Sequence, residues 1–501
     1  MTDHLLHIDF AKGRSLQVQL REHLVTMILG QHFSDQALPS CRKLSDMLQV
    51  SRNTVVLVYE KLVDEGYLVS RERSGYFVSP HYVEQDSHLY STKCSLYPAA
   101  ENVRHSLNWS SRLQSDLSHY RNIQKPENWQ GFPYPFVFGQ TDHSLFPISQ
   151  WRECSRLAQS QHEINTWMPD LIDSDDEFLV EQLRKRVLIK RGINVRNDEI
   201  LITVGTQNSL YLLASLLAGK NTRLGMEEPG YPDVRNIFTH HGADVVPLHL
   251  DGDGVTLSDT MGSCDYVYVT PSHQVPTNAT MPMARRKALL KRANEQDFVI
   301  IEDDYDSEVN LQERPHPALK SLDAHGRVIY VGSLSKSLSH GLRLGYLVAD
   351  AEVITQARML RRMMYRHPPA NNQRTAALFI SMGYFDSYLQ RLRKSYFEKW
   401  QIMKASLNCY LPDMLVNPEA GGSSFWLRLP DTVNLSELVS RSMDDGVIIE
   451  PGDVHFMDEK STRPFIRLGF SAIEKEQIEP GIRKLAFHVE HSARSGIAVA
   501  V

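Results

Sequence analysis

The residues best equipped for chemistry lie in the second half of the chain. The segment VGSLSKS, Val331 to Ser337, reads as an apolar strand running into a serine-rich turn. It places Lys336 at the carboxyl end of a strand, where α/β sheets bind ligands. A lysine so placed forms a Schiff base with an aldehyde once its neighbours lower its pKa. Ser333 and Ser335, with Arg343 in the following GLRLGY, offer hydroxyl and guanidinium donors suited to a phosphate ester. A solvated lysine in a serine-rich loop is the alternative reading. The segment VIIEDDYDSEV reads as a buried-type strand that opens into carboxylates. Asp303 and Tyr305 could serve a pyridinium nitrogen and a phenolate oxygen, the electronic control that pyridoxal phosphate requires. Asp303, Asp304 and Asp306 would equally suit a hard cation. In ITVGTQNSLYLLASLLAG, Gly205-Thr206-Gln207 separates a strand from an apolar helix whose first N–H groups would cradle a phosphate. Tyr231, in EEPGYPDVRNIF, could stack on a flat ring, although a lone aromatic also suits a core.

These segments need a scaffold, and the chain supplies one. From about 131 to 501, helical patterns alternate with short apolar strands such as EILITVG, DYVYVT, DFVIIEDD and RVIYVGS. That alternation predicts a mostly parallel α/β sheet. From about 415 the texture changes to GGSSFWLRL, GVIIEPG and PFIRLGF, a small α+β subdomain. Residues 80–130 are rich in Ser, His, Asn and Gln and read as a linker. A length of 501 residues calls for more than one domain. The five cysteines are scattered and form no CxxC pair, which reads as reduced thiols. With no apolar run near ~18 residues and no signal-peptide pattern, a cytoplasmic protein without a membrane partner is expected.

Residues 1–79 form a third texture. Leu16, Leu20, Leu24 and Ile28 recur at i, i+4 spacing and predict a helix from Ser15 to about Gly30. Ser40 can cap a helix over 41–48, Gln49-Val50 make a turn, and Ser51 can cap a second helix over 52–65. Two helices joined so tightly predict a helix-turn-helix, the second entering the major groove of double-stranded DNA. YLVSRERSGYFVS then reads as a hairpin wing turning near Arg73-Ser74-Gly75. The net charge is −6 overall, and residues 1–80 hold nine Lys+Arg against nine Asp+Glu. A DNA-binding surface therefore has to come from how these charges are distributed. Ser51, Arg52, Asn53 and Thr54 crowd the recognition-helix start, Arg42 and Lys43 precede them, and Arg71 and Arg73 flank the wing. Asp64 and Glu65 fall at the far end. A small three-helix interaction domain with solvated arginines is the alternative.

PSCRKLSDMLQVSRNTVVLVYEKLVDEGYLVSRERSGYFV resembles the GntR family winged helix, with Cys41 where Ser is usual. The resemblance implies DNA contacts from Arg42, Arg52, Thr54 and the wing Gly75. Residues 131–490 resemble the fold-type I pyridoxal-phosphate enzymes of the aspartate aminotransferase superfamily, because the four segments above stand in that superfamily's order. By that resemblance Lys336 forms the internal aldimine, Asp303 pairs with the pyridine nitrogen, and Tyr305 approaches the ring oxygen. Tyr231 stacks on the ring, and Gly205, Thr206, Ser333 and Arg343 hold the phosphate. Arg467, in RPFIRLGFSA, matches the arginine that reads an amino acid's carboxylate. An arginine satisfied by a protein partner is the competing reading of Arg467.

Fusion of the two domains resembles the MocR/GabR subfamily of GntR regulators, as does VTPSHQVPTNATMP. The expected protein is thus an α/β chain with three parts: a winged helix-turn-helix over 1–79, a linker over 80–130, and an aminotransferase-like effector domain over 131–501. It binds operator DNA as a homodimer, and an amino-acid-like effector displaces Lys336 by forming an external aldimine. A working aminotransferase with a DNA-binding appendage, or a sensor of pyridoxal phosphate itself, are the rivals. Val275 stands where superfamily enzymes carry Asn, and Asn278 where they carry Gly; both count against efficient transamination. His273 and Gln274 belong to the same stretch and are expected at the pocket.

Overall fold

In a computed structural model the described residues are 8–11, 13–30, 32–33, 37–71, 74–83, 108–307, 310–311, 315–417, 421–458 and 464–499. The chain divides into two compact units, Met1–Asp116 and Leu117–Val501. Of the expected linker, residues 84–107 fall outside the described residues, and 117–130 belong to the second unit. No helix among the described residues is long and apolar enough to cross a membrane.

The first unit is built on α1 (Leu16–Leu29), α2 (Cys41–Leu48) and α3 (Arg52–Asp64), followed by the hairpin β1 (Leu68–Arg71) and β2 (Gly75–Val78). Three of the four expected stripe residues of α1, Leu20, Leu24 and Ile28, are buried, while Leu16 in the first turn stays exposed. The Ser40 hydroxyl accepts from the Lys43 N–H (3.2 Å) and the Ser51 hydroxyl from the Thr54 N–H (3.1 Å). Such caps stabilise a helix by about 1 kcal/mol each. Gln49 takes a left-handed conformation and closes the turn between α2 and α3. Leu44, Val55, Tyr59, Leu62 and Leu68 join the α1 residues in a single core. The Tyr59 hydroxyl satisfies itself by donating to the Pro39 carbonyl (2.9 Å).

The second unit is organised by an eight-stranded sheet. Its strands are β3 (Ile200–Thr203), β4 (Arg223–Glu228), β5 (Asp244–Asp251), β6 (Gly254–Val255), β7 (Tyr266–Val269), β8 (Val299–Asp303), β9 (Val328–Ser333) and β10 (Gly345–Val348). Across the sheet they run β3-β10-β9-β8-β7-β4-β5-β6. β5, β4, β7, β8 and β9 are parallel, β10 runs antiparallel between β9 and β3, and β6 turns back on β5. The central strands are buried along nearly their whole length, as a parallel sheet covered on both faces requires. The carboxyl ends of the parallel strands therefore lie at one edge, where Asp303 ends β8 and the loops leaving that edge carry Tyr231, Val275 and Lys336. A smaller three-stranded sheet follows, ordered β11 (Ser424–Arg428), β13 (Phe465–Gly469), β12 (Glu450–Pro451). It matches the α+β texture expected from about 415.

Candidate functional site

A cavity of about 450 Å³ opens at the carboxyl edge of the large sheet. Its wall includes Thr206, Tyr231, Asp303, Tyr305 and Lys336, brought together from four separate segments. The wall also includes residues that the sequence did not single out for the site, among them Phe138, Asp233, Tyr268 and Lys125.

Lys336 is half-buried, and its amine lies over two rings, 3.9 Å from the Phe138 centroid and 4.5 Å from that of Tyr305. Burial disfavours the ammonium and pulls its pKa down to about 8, against the opposing pull of Asp306. The neutral, nucleophilic amine is therefore accessible near neutral pH. The backbone makes room for it at Gly139, which has φ +75° and where a Cβ would stand 3.4 Å from the Lys336 amine.

The carboxylates at the end of β8 and just beyond it separate by what they touch. Glu302 accepts from the backbone N–H groups of Leu319 and Lys320 (both 2.8 Å). Asp304 pairs with buried Arg191 (2.8 Å) and accepts from the Tyr330 hydroxyl (2.8 Å). The Ser423 hydroxyl donates to Asp306 (3.2 Å). Asp303 alone of the four lines the cavity: its Oδ2 accepts from the Tyr268 hydroxyl (2.7 Å), while Oδ1 is buried without a hydrogen-bond partner among the described residues. Desolvation raises its pKa to about 7. An orphaned buried carboxylate oxygen is costly, and a ring N–H⁺ is a donor that would satisfy it. Among the described residues no cluster of three His, Cys, Asp or Glu side chains is arranged to hold a metal.

At the other end of the cavity stands the start of α4 (Thr206–Leu217). Gly205 precedes it with φ +105°, and a Cβ there would stand 3.0 Å from the Arg343 guanidinium. The positive φ favours glycine there, and the exposed Arg343 guanidinium stands beside the helix start; of this group Thr206 lines the cavity, while Gly205 and Arg343 do not. Ser333 ends β9, where its hydroxyl accepts from the Ser335 N–H (3.2 Å); it does not line the cavity. Tyr231 lines the cavity and donates its hydroxyl to Asp233 (2.7 Å). The Tyr305 hydroxyl donates to the His273 carbonyl (3.0 Å). Gln274 is a loop brace: its amide donates to the carbonyls of Pro229 and Val275, and its carbonyl accepts from Thr277. His273 is buried, and desolvation lowers its pKa to about 4, so the ring is neutral. Val275 presents an apolar group to the wall, and Asn278 adopts the left-handed conformation (φ +60°) that glycine would otherwise serve.

Arg467 is buried on β13 directly opposite Glu450 on β12. Its guanidinium meets Glu450 at 2.6 and 2.7 Å and stacks 3.6 Å from the Phe138 centroid. His455 adds a 3.0 Å contact to the same Glu450 oxygen. The anion expected for this arginine is thus already supplied by the chain.

In the first unit, Arg42 at the start of α2 and Ser51, Arg52 and Asn53 at the start of α3 are exposed, and Thr54 is half-buried. Among the described residues neither Arg42 nor Arg52 enters an ion pair, whereas Glu65 at the far end of α3 is held by Arg21 (2.7 Å). Arg71 stacks on Phe77 in the hairpin (4.4 Å), Gly75 opens β2, and Arg73 lies outside the described residues.

Residues 16–78 match the bacterial regulatory proteins of the gntR family, and residues 153–485 match aminotransferase class I and II. The architecture is therefore that of a DNA-binding regulator carrying an aminotransferase-like unit. The HTH-type transcriptional regulator TauR of Rhodobacter capsulatus is 39% identical over 94% of this chain and 96% of its own length. The probable rhizopine catabolism regulatory protein MocR of Rhizobium meliloti is 31% identical over 96% and 95%. Among solved structures, the α-aminoadipate aminotransferase LysN of Thermus thermophilus, complexed with N-(5'-phosphopyridoxyl)-L-leucine, is similar with a TM-score of 0.69. It is 25% identical, covering 78% of this chain and all of that one. The chain belongs to the MocR/GabR subfamily of GntR transcription regulators.

Proposed function

We propose that this regulator holds pyridoxal phosphate on Lys336 and uses it to sense an amino-acid-like effector. The observation that carries the reading is the unpartnered Asp303 oxygen in the same cavity as a lysine whose ammonium is destabilised. The bound coenzyme would supply an aldehyde that can exchange one amine for another. Lys336 provides the amine that bonds it and is given up when an effector amine arrives. Asp303 holds the ring nitrogen, with Tyr268 fixing the carboxylate. Gly205, Thr206 and Arg343 receive the phosphate, with Ser333 supporting the turn. Tyr231 stacks on the ring and Tyr305 stands near the ring oxygen. Arg467 reaches an effector's acid only by exchanging Glu450 for it.

On the DNA side, Arg42, Ser51, Arg52, Asn53, Thr54, Arg73 and Gly75 form the operator face of each protomer in a homodimer. The effector acts through its different affinity for the arrangements that bind operator well and poorly. Regulation is favoured over turnover by Val275, which offers no hydrogen bond at the wall. The test is a screen of amines against the visible absorbance of the purified, coenzyme-loaded protein, with operator affinity measured in parallel. An amine that shifts both supports the reading. Absorbance changes that never alter operator affinity would instead indicate an enzyme with a DNA-binding appendage. A response to coenzyme with none to any amine would indicate a sensor of the coenzyme.

A further inference from the structure

We propose that Lys125, on a strap that closes one side of the cavity, is the receptor for an acidic group on the effector's far end. The inference rests on the amine-sensing reading above and names the ligand class: amines that also carry a carboxylate or sulfonate.

The strap is the segment 120–125, which lies in the second unit but before the aminotransferase match begins. It contributes Asn122, Ile123 and Lys125 to the cavity wall. Four contacts fasten it. Arg121 pairs with Asp453 (2.8 Å), Asn236 donates to the Arg121 carbonyl (2.8 Å) and to the Asn122 side chain (3.0 Å), and Tyr120 meets His240 edge to face (6.3 Å). The strap therefore holds Lys125 at a defined place along the wall.

The cations around the cavity can be assigned one by one. Lys336 bonds the coenzyme. Arg343 stands against Gly205 at the phosphate end. Arg467 is neutralised by Glu450. Lys125 remains: it lines the cavity, stacks loosely on Trp129 (5.6 Å), and enters no ion pair among the described residues. Lys125 is exposed, and the limited desolvation beside the cavity lowers its pKa from the ordinary lysine value. His340 lies within range of the same charges. Its pKa is lowered to about 4, first by burial and then by the positive charges of Lys336, Lys125 and Arg343. On the cavity wall the cations Lys125 and Lys336 stand with the carboxylates Asp233 and Asp303; with Lys336 given to the coenzyme and Asp303 to its ring, Lys125 is the wall cation left to meet a ligand's negative charge.

The experiment uses the full-length, coenzyme-loaded protein and its K125Q, K125R and R467K variants. The probes are 2-aminoethanesulfonate, 3-aminopropanoate and 4-aminobutanoate, with n-propylamine as the neutral control, followed by coenzyme absorbance at fixed salt. K125Q is expected to raise the half-saturating concentration of at least one acidic probe about tenfold. It should leave n-propylamine within about twofold, and K125R should restore most of the acid preference. Equal losses for acidic and neutral amines in K125Q overturn the proposal. So does an acid-specific loss in R467K with none in K125Q, which returns the role to Arg467. A fall in coenzyme affinity in K125Q, with the acid preference intact, places Lys125 on the phosphate instead. A wild-type protein indifferent to every amine removes the sensing reading itself, an outcome distinct from a responsive wild type with an equally responsive K125Q.

Discussion

The DNA-facing end of α3 and the cavity beside Lys336 are built on opposite principles. The first gathers its polar residues from one short stretch, Arg42 to Thr54, fixed by local caps at Ser40 and Ser51 and left exposed. The second draws Phe138, Tyr268, Asp303 and Lys336 from segments up to about 200 residues apart, burying Tyr268 and Asp303 and half-burying the other two. Exposed cations in high dielectric act nearly independently and keep their ordinary charge. Buried groups shift one another's protonation and leave orphaned atoms when a partner is missing. The lesson is that substitutions on the DNA face should act singly and locally, whereas those in the cavity should propagate through shared partners.

The sharpest way to break this contrast is Lys336→Ala. It should abolish the covalent coenzyme band completely while operator affinity in a mobility shift stays near wild type. Retention of the band would remove the cavity from the account. Asp303→Ala should weaken coenzyme binding by roughly 10- to 100-fold, the range of about 1.5–3 kcal/mol for a charge-assisted hydrogen bond, as read by equilibrium dialysis. Arg52→Ala should cost about 1–3 kcal/mol of specific operator binding and leave the coenzyme spectrum alone. An altered spectrum there would erase the distinction between the two regions.

A pH series sharpens the electrostatic half. Lys336 is lowered from 10.5 to about 8 by burial, so the reactive neutral form is present above that value and lost below it. Coenzyme uptake by the apo-protein should rise roughly tenfold per pH unit up to about pH 8 and then level off. A rise continuing to pH 10 would mean an ordinary, solvated lysine. The smallest effect is expected from Tyr268→Phe, which removes one donor from Asp303. Coenzyme affinity should fall about fivefold, corresponding to ~1 kcal/mol, and the effect should vanish in the Asp303→Ala background.

The contrast also explains what could be read in the sequence. Caps, turn and recognition helix were legible because each depends on neighbours within a few residues; α3 ends at Asp64, one residue before the expected limit. Lys336, Asp303, Gly205 and Tyr231 were legible because strand ends announce themselves as apolar runs giving way to polar turns. Tyr268 was not, since its role follows from register: it lies beside Ile301 in the parallel pair, two residues before Asp303 on the neighbouring strand. The Glu450 partner of Arg467 is hidden for the same reason, being set by antiparallel pairing of β12 with β13. Phe138 and Lys125 come from segments without strand or helix periodicity, so only the folded chain brings them to the cavity. The expected linker, similarly, carries at its end a strap that composition alone could not distinguish from a tether.

The claim on which all else depends is that Lys336 carries the coenzyme. Borohydride reduction of the coenzyme-loaded protein, followed by tryptic mapping, tests it directly. The reduced label is expected on the peptide spanning residues 328–343, with cleavage blocked after Lys336. A label on Lys125, Lys320 or any other lysine, or no label on a protein that shows the visible band, would contradict it.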